Sequence, residues 1–220
     1  MNSWTVTKDK FLTTNEVHRL YKQLEDTRDI SIQRRLHYVF IRDYYILKVL
    51  LETGVRVAEL TALKVSNLVG NSLIVQNGKG GKKRNILLAI QTKRLLKEFI
   101  DVKCTILNEP IDNDSFLFTS ERKLPYTTRA IRKRVKFWFV KLGLSPTLSV
   151  HSCRHTYISH LMAAGVDLAT IRNNAGHSSL AVTSIYTHCL KDSLGDVDIY
   201  ANSSENSRTR NYSRRRGEKS

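Results

Sequence analysis

A chain of 220 residues, 41% hydrophobic, is long enough for one medium domain with a small appendage. Thirty-six Lys and Arg against twenty Asp and Glu leave a formal charge of +16 and a pI near 9.9, which points to a polyanionic partner, nucleic acid first. No apolar run approaches about 18 residues and the N-terminus lacks a basic-then-apolar signal pattern, so a membrane span is excluded and a soluble, cytoplasmic protein is expected.

In chain order, Thr13-Thr14-Asn15-Glu16 reads as a capping box opening an amphipathic helix, because Glu16 can return a hydrogen bond to the Thr13 backbone. A second helical pattern, "RDYYILKVLLETG", stops at Gly54, the residue type that tolerates the left-handed conformation after a helix. "RVAELTALKVSNL" follows, with Val57, Leu60, Leu63 and Leu68 close to helical spacing, so a further helix is expected there. "SLIVQ" and "RNILL" flank the glycine-rich "NGKGGKK", which predicts a hairpin with lysines at its tip.

Residues 91 to 102 and 127 to 142 read as helices. The second is laced with Arg129, Arg132, Lys133, Arg134 and Lys136, and its Phe137 and Trp138 are expected in the core. From Val150 onward, "HSCRHTYISHLMAAGVD", "LATIRNNAGH" and "LAVTSIYTHCLKDSL" predict three successive helices. The stretch from Asn202 holds six Lys or Arg and two acidic residues with almost no apolar content, which suits a disordered basic tail.

Cys104, Cys153 and Cys189 are far apart and form no CxxC, which argues against a disulfide framework or a structural zinc site. His151 and His155 do stand at the spacing of a helical zinc pair. The glutamate that such a site needs beside its first histidine is replaced by Ser152. "NGKGGKKR" also lacks the spacing of a nucleotide-binding loop, so ATP use is not indicated.

Cations and histidines recur in turns and helix starts: Arg56, Lys79, the His151 and Arg154 pair, and His177, followed nine residues later by Tyr186. Each alone reads as an ordinary surface or core residue. In this order, within "TGVRVAEL", "GKGGKKR", "HSCRHTYISHLMAAGVD" and "AGHSSLAVTSIYTH", they make the chain resemble the tyrosine recombinase (phage integrase) family from about residue 10 to about residue 190. Cys153 and Ala175 stand where that family usually has leucine.

The chemistry of the residues agrees with the resemblance. A phosphodiester under attack gathers negative charge on its non-bridging oxygens, and two planar guanidiniums, Arg56 and Arg154, can each grip them through paired hydrogen bonds. A tyrosine hydroxyl, with a free pKa of about 10, is a weak nucleophile until a neighbour favours its ionised form. Tyr186 is the candidate nucleophile and His151, three residues before Arg154 and on its helix face, the proton acceptor or orienting group. His155 and His160 are expected to pack or hydrogen-bond without direct chemistry.

The resemblance also implies a mainly α fold with a small antiparallel β-sheet (α+β). It makes Lys79 the acid for the departing deoxyribose oxygen, with Lys82 and Lys83 as rivals, His177 a phosphate donor, and Glu59 a supporting carboxylate. Lys82, Lys83 and Arg84 on the hairpin are expected to bind DNA, and Arg129, Arg132, Lys133 and Lys136 to face DNA or solvent. The implied layout is an extension over 1–12, a catalytic domain over 13–201 and the basic tail over 202–220, similar to short recombinases that invert promoter segments and equally to a fragment of a longer reading frame.

The implied reaction is site-specific breakage and rejoining of double-stranded DNA through a 3'-phosphotyrosine. It needs neither metal nor cofactor, because the guanidiniums neutralise the phosphate and the covalent link conserves the bond energy. A homotetramer on synapsed sites, with residues 189–201 docking on a neighbour, and an accessory DNA-bending protein complete the expectation. Strand relaxation in the manner of a type IB topoisomerase and a non-catalytic DNA-binding regulator are the alternatives.

Overall fold

A computed structural model describes residues 8–76 and 83–176. Its described elements are α1 (Thr14–Arg34), α2 (Tyr38–Thr53), α3 (Val57–Ala62), β1 (Leu68–Val69), β2 (Ser72–Gln76), β3 (Lys83–Leu87), α4 (Ile90–Thr105), α5 (Thr128–Lys141), α6 (Val150–Ala163) and α7 (Leu168–Ala175). The three strands form one antiparallel sheet in the order β1-β2-β3, so the mainly helical class with a small sheet is the observed one. None of the described helices is long and apolar enough to cross a membrane.

The capping box at Thr13 opens α1 as the sequence reads. The Thr13 N–H donates to Glu16 Oε2 at 2.8 Å and the Glu16 N–H donates to Thr13 Oγ1 at 3.3 Å. α2 is the central helix: Ile41, Tyr45, Ile46, Leu47, Val49, Leu50 and Leu51 are all buried, and α1, α4, α5 and α6 pack around it. A helix apolar on nearly every side must be surrounded. Its one fully buried carboxylate, Asp43, accepts from Arg134 and from Trp138 Nε1 (2.7 Å), which ties α5 to α2. Arg134 is therefore a structural partner and not part of a solvated basic face. Phe137, expected beside Trp138 in the core, is 40% exposed and stacks on Phe40 instead.

Two further expectations need correction. The helical pattern from Arg56 to Leu68 breaks after Ala62, since Leu63 is extended and accepts from the Leu117 N–H at 2.7 Å while the Val65 N–H donates to Ser115 at 3.0 Å. Pairing with residues 113–117 takes the backbone that a longer helix would have used. Leu68 then begins β1, a strand the sequence pattern did not announce.

In the sheet, Leu73 lies opposite Ile86, Val75 opposite Arg84, and Gln76 opposite Lys83. Alternation puts Leu73, Val75 and Ile86 on the covered face and Lys83, Asn85 and Leu87 on the open one. A main core spans α1 through α6, and a second small cluster of Tyr157, Ile158, Leu161, Ile171 and Ala175 holds α7 on α6.

Candidate active site

Arg56 follows the turn that ends α2. Gly54 adopts φ +61, and a Cβ there would come within 2.4 Å of Tyr157 Cδ1, so both the conformation and the space require glycine. Two residues on, Arg56 is the N-cap of α3 with extended backbone. Its N–H donates to Glu59 Oε2 at 2.7 Å, its Nη1 to Glu59 Oε1 at 2.9 Å, and its Nη2 to the Gly176 carbonyl at 3.2 Å. The side chain is 43% exposed, open enough to meet a ligand.

Arg154 reaches the same place from α6. Ser149 caps that helix, and the Ser152 hydroxyl accepts from the Ser149 N–H at 3.1 Å, so the residue at the would-be zinc-site glutamate position is a cap. Arg154 Nη1 donates to the Gly54 carbonyl at 2.7 Å, and Nη2 donates to the Ala175 carbonyl. His151 is exposed in the first turn of α6, three residues earlier. Among the described residues no three His, Cys, Asp or Glu side chains are grouped to hold a metal ion.

The neighbours of this pair are inward-facing. Burial lowers the His155 imidazole to about 4, with the positive surroundings of His151, Arg154 and Lys10 adding to it. Burial likewise lowers His160 to about 4, and its ring nitrogen Nε2 lies 3.2 Å from the Leu12 carbonyl. His160 packs and hydrogen-bonds as the sequence suggests, and His155 is half-buried. Cys153 is fully buried, and burial pushes its thiol up to about 12, so it is inert.

Arg84 departs most from its expectation. Its side chain turns away from the open face of the hairpin and is 9% exposed. Nη1 and Nη2 fork onto Glu59 Oε1 and Oε2 at 2.7 and 2.8 Å, and Nε donates to the Asn174 carbonyl at 3.0 Å. The Glu59 carboxylate thus accepts four hydrogen bonds, two from each arginine. Burial raises its pKa, but the bonds from Arg84 and Arg56 outweigh this and leave it below the ordinary carboxylate value. Sequence reasoning gave Glu59 its supporting role and missed Arg84; the alternation along "KRNIL", which sets Arg84 beside Ile86, was the available signal.

Three guanidiniums from three elements therefore meet three successive carbonyls, Asn174, Ala175 and Gly176, at the end of α7. Helix C-terminal carbonyls lack intrahelical partners and carry partial negative charge, which is why cations settle there. Among the described residues, three guanidiniums gather here with the Glu59 carboxylate, a balance suited to a phosphate.

Arg56, Glu59 and Arg154 are brought together, with His151 on the Arg154 helix. Lys79, Lys82, His177 and Tyr186 lie outside the described residues, as do residues 180–194, 189–201 and 202–220. Lys83 is exposed at the start of β3, and Arg129, Arg132 and Lys133 are exposed on α5. Lys136 is half-buried, its Nζ donating to the Pro146 carbonyl at 2.7 Å, so it staples α5 to the loop before α6.

Comparison with known proteins places these features in company. Residues 10–192 match the phage integrase family. Tyrosine recombinase XerC from Lactobacillus leichmannii is 31% identical over 182 residues, covering 81% of this chain and 58% of the relative. The crystal structure of XerA recombinase superposes with a TM-score of 0.66 at 31% identity, covering 81% of this chain and 60% of that one. XerH site-specific recombinase bound to its difH substrate gives a TM-score of 0.64 at 25% identity, over 81% of this chain and 50% of the other. The chain thus spans about half to three fifths of the length of these proteins.

Proposed function

This chain belongs to the phage integrase family, and from that premise we propose that it is a site-specific DNA recombinase working through a covalent 3'-phosphotyrosine. Residues 13–201 form its catalytic domain, followed by a basic stretch from residue 202. Arg56 and Arg154 grip the non-bridging oxygens of the scissile phosphate. The Tyr186 oxygen attacks phosphorus while His151 takes or orients its proton. The bond to the 5' oxygen breaks, and Lys79 supplies the proton that this oxygen needs. His177 donates a further hydrogen bond to the phosphate. Reversal with a new 5' hydroxyl rejoins the strand, and the phosphotyrosyl bond carries the energy across.

The observation that supports this reading best is the convergence of Arg56 and Arg154 on the adjacent carbonyls of Gly176 and Ala175, immediately before His177 in the chain. Losing one such preorganised donor typically costs about 2.7 to 4 kcal/mol of barrier. Double-stranded DNA is the proposed partner, bound by a homotetramer on two synapsed sites in the cytoplasm of a bacterial or phage-infected cell, with an accessory bending protein where the site demands it.

Covalent trapping tests the proposal. The protein is incubated in chelator with nicked duplexes tiled across the DNA flanking its own gene. A protein–DNA adduct mapping to Tyr186, and lost in Tyr186→Phe, is expected. Tight binding without any adduct would instead make the chain a DNA-binding regulator, and cleavage without sequence preference would favour strand relaxation.

A further inference from the structure

We infer that Arg84 is a positioning residue for cleavage, clamping the C-terminal end of α7 to α3 so that Arg56 and the chain entering His177 are held in register with one another. This inference rests on the recombinase reading above.

Three observations carry it. First, Arg84 ties α3 to α7 alongside the Arg56 bond to the Gly176 carbonyl: its fork closes on both oxygens of Glu59 in α3, and its Nε holds the Asn174 carbonyl of α7. A planar guanidinium is the side chain that can hold a carboxylate bidentately and still direct Nε to a third acceptor. Second, Gly176 is packed directly on it. That residue sits at φ +65, and a Cβ there would come within 2.9 Å of Arg84 Cδ, so the backbone before His177 is shaped around the Arg84 stem. Third, among the described residues, Ile171 and Ala175 are what α7 (Leu168–Ala175) contributes to the small apolar cluster with α6. Polar bonds, those of Arg84 among them, add to the placement of the helix end.

The Glu59 carboxylate also meters Arg56. With Arg84 in place, each Glu59 oxygen accepts one bond from each arginine. Without Arg84, the buried carboxylate has Arg56 as its remaining cation and draws it inward, away from the direction in which a phosphate would be gripped. Arg84 thus acts on the reaction through Arg56 and through the α7 end, with no contact to DNA of its own.

The test uses the full chain as wild type, Arg84→Ala, Arg84→Lys, Glu59→Gln and the Arg84→Ala/Glu59→Gln double variant. The DNA probe is the nicked duplex that traps the wild type. In Arg84→Ala, adduct formation at saturating DNA should slow by about 10- to 100-fold, as loss of an outer-shell orienting partner typically does. The Kd, and the slope of log Kd against log salt, should stay those of the wild type. Arg84→Lys, which keeps the charge and loses the fork, should fall between. The double variant should be little slower than Glu59→Gln alone, because both substitutions break one unit.

Amide hydrogen exchange across Leu168–Gly176, measured without DNA, should quicken in Arg84→Ala. A salt slope reduced by about 0.9, the value for one lost phosphate contact, would make Arg84 a DNA-contacting residue and overturn the inference. Unchanged exchange at the α7 end would overturn it equally. Should Arg84→Ala fail to fold by circular dichroism, Arg84→Lys decides on the same readouts. Should the wild type trap on no duplex, the recombinase reading fails by itself, and the exchange measurement alone decides whether Arg84 holds α7.

Discussion

Three histidines on one helix meet three fates. His151 is exposed in the first turn of α6, His155 is half-buried and His160 is fully buried. Burial lowers the pKa of the last two to about 4, against about 6.5 in an unfolded chain. The sign follows directly: between pH 6.5 and 4 the unfolded state binds protons that the folded state refuses, so stability drops as pH falls through that window. Each such group contributes a slope of up to about 1.4 kcal/mol per pH unit. His160→Gln retains an N–H for the Leu12 carbonyl and does not titrate in this range. Urea unfolding midpoints followed from pH 7 to pH 4 should therefore fall less steeply in this variant than in the wild type. An unchanged slope would mean that His160 is already protonated in the fold. The exposed His151 keeps the solvent access that a proton acceptor in the proposed reaction needs.

At the level of elements, the Gly54 turn does three jobs: it ends α2, lets Tyr157 pack against the backbone, and offers its carbonyl to Arg154. Gly54→Ala combines a left-handed φ with a collision against a buried ring, and should destabilise by about 2–4 kcal/mol. Gly165→Ala, also at positive φ but with nothing within 4 Å of the added Cβ, should cost about 1 kcal/mol. Chemical denaturation of the two variants side by side checks this; equal losses would mean that Tyr157 moves aside freely. The Gly54 stop and the Thr13 capping box were legible because both are local, written within a few residues. The end of α3 was not, because it is decided by residues 113–117, which take the hydrogen bonds of Leu63 and Val65 across the fold. Arg84 was read as a surface cation for a related reason. Alternation says which face of β3 it occupies, but only the tertiary arrangement puts Glu59 and Asn174 on that face.

For the molecule as a whole, the net charge of +16 is unevenly used. Arg84, Arg134 and Lys136 are spent inside the protein on Glu59, Asp43 and the Pro146 carbonyl, whereas Arg129, Arg132 and Lys133 are exposed on α5. If that row contacts phosphates, Arg132→Gln and Lys133→Gln should each lower the slope of log K against log salt by about 0.9. Fluorescence anisotropy on a labelled duplex at several KCl concentrations measures it, and unchanged slopes would assign the row to solvent.

The arginines that meet at the end of α7 also impose an order in time. Arg56, Arg84 and Arg154 bond to carbonyls 120, 90 and 21 residues further along the chain. The two longer of these loops carry the larger cost of closure. As the polypeptide leaves the ribosome, the arginines of α3 and β3 emerge long before the carbonyls they will hold, so a partly made chain carries the cations without the clamp. The arginine cluster is thereby withheld until synthesis has passed the α7 end.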